Sequence, residues 1–249
     1  RPGDPLSQAA AEDLINVQVN QFYVQNSFNK TSMTATVTPT LRLVRTQADY
    51  AASEDFVALK ADAYAVAEAA GISTTLHHFI ILAFATTFSG WSGQAYVGSK
   101  GAWLNGDFRM RVAAHELGHN YGVRHANFWN AGQSISGGGT NVEYGNPFDV
   151  MGKGQGSHFN AWFKNIFDWV PASEVLTVAT SGTYRVFALE QPIATGAHGL
   201  KIPRDVQRDY WIEFRQALTG NPRLMNGASV NFGYAINAAS HLLDMTPDD

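Results

Sequence analysis

The stretch "HELGHNYGVRH", residues 115–125, places three histidines, a glutamate and a well-positioned glycine in a chain that has only eight histidines among 249 residues. On an α-helix His115 and His119 leave one face about one turn apart, so their imidazoles can share a metal ion. Glu116 lies roughly 100° round the helix from His115, beside such an ion rather than on it. A helix alone offers no third ligand to the same ion. Gly122 can take a positive φ, end the helix and turn the chain back, and His125 then returns to the metal. Three histidines with an open fourth position are the set expected of a catalytic zinc rather than a structural one. Zinc lowers the pKa of water in that position to about 7 and polarises a carbonyl, while Glu116 serves as general base, which amounts to peptide hydrolysis without a covalent intermediate. At the chain's own residue frequencies the full spacing arises in about 2 × 10⁻⁵ of random chains of this length, whereas HExxH alone is far weaker.

Composition bounds the alternatives. A hydrophobic fraction of 45% and a charged fraction of 15% fit a folded protein of one large domain or two modest lobes and argue against disorder. A net charge of −4 without a block of Lys or Arg leaves no footprint for nucleic-acid phosphate. The longest apolar run, "FIILAFATTF" at 79–88, is too short to span a bilayer and reads as a buried strand. The absence of cysteine excludes disulfides and thiolate ligands within the chain but does not separate cytosol from exterior. The chain opens on Arg1 without a charged-then-apolar leader, so a processed or trimmed chain is expected.

Outward from the histidines, residues 7–28 carry Leu14, Ile15, Val19, Phe22 and Tyr23 at helical spacing behind Ser7 as N-cap, which predicts a first helix. "SMTATVTPTLRLV" at 32–44 alternates apolar and polar residues and predicts a strand, confined by Pro39 to an edge or bend. Ser53 is the expected cap of a second helix, with Glu54 and Asp55 in its first turn and Gly71 as left-handed stop. Residues 76–84 predict a strand preceded by His77 and His78, one facing the core and one solvent. The Gly-rich, aromatic stretch at 89–106 predicts short strands and turns. The motif helix is expected over about 108–121, followed by an irregular segment at 131–157 of the kind that forms a binding loop. A fourth helix is expected from about Ser157 to Pro171, burying Phe159, Trp162, Phe163, Ile166 and Phe167, and short strands from Val175 onward.

The eleven-residue stretch matches HExxHxxGxxH, and with it the chain resembles the metzincin zinc endopeptidases, whose methionine turn is supplied by "NPFDVMGKG" at 146–154. On that resemblance Met151 forms the apolar floor under the imidazoles without ligating zinc. Other metzincin branches place Glu, Asp, Ser or Pro after the third histidine, where this chain has Ala126. The stretches "VEYGNPFDVMG", "SHFNAWFKNIFDW" and "NSFNKTSMTATV" are similar to the gametolysin-type group of algae and bacteria. The resemblance implies an α+β fold, a metzincin-like catalytic domain with a twisted mixed sheet and an active-site helix, followed by a β-rich C-terminal region. Residues 1–122 would be the upper lobe ending in the zinc-binding helix, 123–172 the lower lobe with third ligand, methionine turn and C-terminal helix, and 173–249 the β-rich region.

The same resemblance implies a secreted, monomeric enzyme made as a zymogen, which holds one catalytic Zn²⁺ on His115, His119 and His125 and cleaves protein or peptide substrates with Glu116 as base. Gly122 and Met151 are structural at the site. "GWSGQAYVG" at 90–98 is the expected edge strand for an extended substrate, through Gly93, Gln94, Ala95 and Tyr96, and residues 148–160, His158 included, line the pocket after the scissile bond. Where astacins and serralysins place an oxyanion-stabilising Tyr two residues after the Met, this chain has Lys153, which leaves Tyr144 and His158 as candidate donors. Asp149 either braces its loop or accepts from a ligand histidine. "TNVEYGN" at 140–146 offers oxygens that suit calcium but no recognised loop spacing. Two other classes fit the same ligands. One is a zinc-bearing binding or adhesion module without activity, against which the retention of Glu116 argues, and the other is a metal-dependent amidase acting on a non-protein amide.

Overall fold

Ser7 caps the first helix as expected, its hydroxyl accepting from Ala10 N at 3.2 Å. In the computed structural model, which describes residues 6–155, 157–191, 196–216 and 222–247, that helix is not α throughout. Helix α1 (Gln8–Glu12) passes into a π-helical stretch (Asp13–Val19) before α2 (Asn20–Asn26). The opening "RPGDP" and Gly156 of the expected pocket segment lie outside the described residues. The chain divides into two units, Arg1–Phe22 with Ser32–Gly122 and Tyr23–Thr31 with Val123–Asp249. It is α+β, with a mixed sheet in each unit.

In the first unit the strand expected at 32–44 is absent. Asn20 Oδ1 accepts from Met33 N at 2.8 Å, and Asn16 both accepts from Ala35 N and donates to Ala35 O at 2.7 and 3.1 Å. Gln8 Nε2 donates to Val37 O at 3.1 Å. Alternate residues therefore meet amide side chains along the first helical segment, which satisfy the backbone as a neighbouring strand would. The second helix is also two. Thr46 caps α3 (Gln47–Ser53) in a capping box with Asp49, and Asp55, accepting from Ala58 N at 2.7 Å, caps α4 (Phe56–Ala69). Ser53 thus ends a helix instead of starting one, with Glu54 in the left-handed region between them, and Gly71 stops α4 at φ +78° as expected.

Strand β1 (Ile81–Phe84) is shorter and less buried than its apolar run predicts, leaving Leu76 82% exposed and both His77 and His78 exposed. It pairs in parallel with β3 (Ala102–Asn105), to whose other side β2 (Gly93–Ala95) pairs antiparallel, giving the order β1-β3-β2 with β2 at the edge. Tyr50, Leu59, Phe88 and Trp103 form the core beside this sheet. Helix α5 (Met110–Asn120) closes the unit, buried from Val112 to Asn120.

The second unit holds one seven-stranded sheet, β5-β4-β10-β9-β8-β7-β6. It joins β4 (Ala126–Asn130) and β5 (Thr140–Val142) to β6 (Val175–Thr177), β7 (Gly199–Pro203), β8 (Arg208–Phe214), β9 (Ala228–Tyr234) and β10 (Ala239–Leu243). The residues after 173 therefore share a sheet with the strand that follows His125. β10 runs parallel to β4 with Ser240 opposite Ala126, and β5 gives the irregular 131–157 segment a strand of its own. The helix expected from Ser157 begins four residues later as α6 (Ala161–Ile166), because Asn160 is its cap, accepting from Phe163 N at 3.1 Å. Trp162 of α6 packs on Trp211 of β8 with ring centroids 5.0 Å apart, over Gly233, where any Cβ would meet both rings.

Asn160 also donates to Asp149 Oδ2 at 2.8 Å and Ser240 Oγ at 2.9 Å, all three groups being buried. Asn160→Ala removes the cap and the buried side-chain bonds to Asp149 and Ser240, leaving Asp149 only the backbone N–H of residue 160 on that oxygen, so it is expected to cost about 2–4 kcal/mol in urea unfolding.

Candidate metal centre

Helix α5 presents His115 and His119 with ring centroids 4.8 Å apart and planes at 88°. Its end is set by the His119 carbonyl, which accepts from Gly122 N and from Gly98 N, both at 2.8 Å. Gly122 has φ +110°, a conformation a side chain resists, so the turn expected at this position is present. Asn120 Nδ2 fastens the same helix end to the carbonyls of Tyr96 and Gly101 at 2.9 and 3.1 Å.

Among the described residues, His115, His119 and His125 form the group whose ligand atoms all lie within 4.8 Å of one another. Three imidazoles at this spacing are a donor set suited to zinc and similar borderline metals, so the residues fit a metal ion. His125 stands between secondary-structure elements. Its carbonyl accepts from Ser240 N at 3.3 Å, Glu143 Oε1 lies 2.7 Å from its Nδ1, and the Tyr144 ring lies 3.9 Å from its own at 36°. Sequence reasoning missed Glu143, which falls inside the segment weighed for calcium. Calcium has no support there, since this carboxylate is directed at an imidazole.

Glu116 is buried, and burial pushes its carboxyl up to about 8. Backbone of β2 passes directly beside it, where a Cβ on Gly93 would overlap the Glu116 carboxylate. Gly93 and its neighbours Gln94 and Ala95 occupy the sheet edge. Tyr96 does not join them as expected. Its ring packs edge-on against Trp103 at 5.1 Å under Lys60, its N–H donates to Gly101 O, and its carbonyl accepts from Asn120.

Met151 is fully buried, and its carbonyl accepts from Ala126 N at 2.9 Å, which ties the methionine turn to the residue after His125. Asp149 braces that turn, accepting from Met151 N at 2.8 Å and Asn160 N at 2.7 Å, and burial raises its carboxyl to about 6. His158 is buried with its carbonyl accepting from Arg215 at 3.2 Å. Burial, then the nearby Lys164 and Arg215 charges, hold its pKa down to about 2, so it brings no positive charge to an oxyanion. The Tyr144 ring packs against that of His125 while the residue is 40% exposed.

The raised Glu116 pKa makes a claim about stability. A carboxyl whose folded pKa exceeds its unfolded value favours the fold fully below about 4.5 and loses that contribution as pH rises through about 8. In the metal-stripped chain, Glu116→Gln is therefore expected to be more stable than the parent at pH 9, by at most about 5 kcal/mol. The difference should shrink toward pH 4.5, as followed by thermal unfolding.

A family model described as Gametolysin peptidase M11 matches residues 9–211. Searches of curated proteins and of solved structures return no significant match. The matched span takes in α5, all three histidines and the methionine turn, and the chain belongs to the gametolysin peptidase M11 family.

Proposed function

We propose that this peptidase is a zinc-dependent endopeptidase in which His115, His119 and His125 hold the ion and Glu116 is the general base. The observation that carries the reading is the grouping of three imidazole ligand atoms within 4.8 Å, with a buried carboxylate at the next helix position after the first. Zinc bound there supplies Lewis acidity, which lowers the pKa of water and polarises a carbonyl. Glu116 takes a proton from the attacking water on a carboxylate oxygen and delivers it to the leaving amine nitrogen. Burial raises its proton affinity and a neighbouring dication lowers it, so one group can both take and give the proton near neutral pH. The edge strand β2 offers the outer backbone groups of Gly93 and Ala95 to an extended peptide, those of Gln94 facing β3 as the Tyr96 N–H does, which would bring the scissile bond alongside Glu116. The absence of a side chain at Gly93 lets strand and base lie this close.

Hydrolysis of a denatured protein such as casein tests the reading. Glu116→Ala should lower the rate by about 10²–10⁴-fold with zinc content unchanged, and stripping the metal with a chelator should abolish activity until zinc is restored. A parent chain that carries one zinc but turns over no protein substrate, with any pro-segment absent, would sink the endopeptidase reading.

Gly93→Ala makes a sharper prediction. Its methyl group displaces the Glu116 carboxylate, so the rate should fall by about 10²-fold, the cost of misplacing a reacting group by about 1 Å, while bound zinc stays at the parent level by metal analysis.

A further inference from the structure

The first two histidines take their directions from a buried helix, but His125 lies outside any helix or strand, so its ring must be aimed by something other than regular backbone. Two consecutive residues just beyond β5 supply this. Glu143 Oε1 lies 2.7 Å from His125 Nδ1. A carboxylate at pH 7 only accepts, so Nδ1 must carry the hydrogen and the lone pair is left on Nε2. Tyr144 lies over the ring at 3.9 Å between centroids, which blocks rotation of the imidazole away from that orientation.

Tyr144 sits at φ +59°, a left-handed region that strains a bulky residue and persists only where the surroundings enforce it. Here they do. Tyr144 N donates to Asn127 Oδ1 at 3.0 Å, and Gly145 follows in a position where a Cβ would overlap Phe128 and the Val142 carbonyl. Because β5 pairs with β4, Phe128 opposite Val142, the hairpin returns to the residue just before its own first strand.

We infer that Glu143 is a positioning residue, with Tyr144 as its backstop, that presents His125 to the metal through Nε2. This rests on the zinc-centre reading above. Glu143 contacts His125 and acts through it. It selects the tautomer, fixes the ring and makes the imidazole a better donor, as carboxylates behind metal-bound histidines do.

The test is competitive zinc titration of the full, metal-stripped chain against a chromophoric chelator. Glu143→Ala should bind zinc about 10–100-fold more weakly than the parent. Glu143→Gln, which keeps an acceptor oxygen without the charge, should recover part of the loss, and Tyr144→Phe, which keeps the ring, should match the parent. Cobalt(II) loaded in place of zinc should show visible ligand-field bands that shift in Glu143→Ala. Glu143 is 61% exposed on its side chain, so the metal-free thermal midpoint should not move. Zinc affinity of Glu143→Ala within twofold of the parent, or a loss matched by a lower metal-free midpoint, overturns the positioning role. A parent chain that takes up no zinc overturns the metal-centre reading itself.

Discussion

The carbonyl of His119 accepts two backbone N–H groups, one from Gly122 and one from Gly98, and much of the site follows from that pair of hydrogen bonds. The first closes α5 just past His119, with Gly122 at φ +110° turning the chain out of the helix. The second ties the helix end to the loop after β2, and the Asn120 amide repeats that tie one residue later. The edge strand and the helix that carries Glu116 are thus bound to each other at the ligands. The glycine at 93 is the counterpart of this closeness, since the carboxylate fills the space a side chain would need.

The second unit spends buried polar groups on a comparable task. Asp149 receives Met151 N and both nitrogens of Asn160. Glu213 receives Ala161 N, Arg215 and Ser229, while Arg215 reaches the carbonyls of Phe148 and His158. Each charge is shared among several partners, the condition under which buried ions are tolerated. The methionine turn and the start of α6 are thereby fastened to the sheet by buried side chains bound to backbone groups.

The grouping of the three histidines was legible because its logic is local. The spacing of His115, Glu116 and His119 needs only helical geometry, and Gly122 needs only its missing side chain. Met151 was legible through resemblance. Readings failed where partner identity mattered more than pattern. The alternation at 32–44 reports a chain whose alternate residues face something, but nothing in it says that the partner is Asn16, Asn20 and Gln8 on a helix. Asp55 and Thr46 are as good caps as Ser53, and tertiary packing chose between them. Tyr96, expected on the substrate edge, is half-buried against Trp103 under Lys60, and His158, expected in the pocket, is buried with its carbonyl bound by Arg215. Glu143 obeys no spacing rule, since only the β4–β5 pairing brings it to His125.

The parallel pairing of β10 with β4 carries a consequence for the order of events in time. Asn127 and His241 sit side by side although 114 residues separate them, and the His125 carbonyl is capped by the N–H of Ser240. A chain emerging from the ribosome can wind α5 and display two ligands early, but the strand next to the third has no inner neighbour until β10 has been made. Closing so long a loop is slow. The pairing that flanks His125 is therefore among the later contacts to form, well after the helix that carries His115 and His119 can wind.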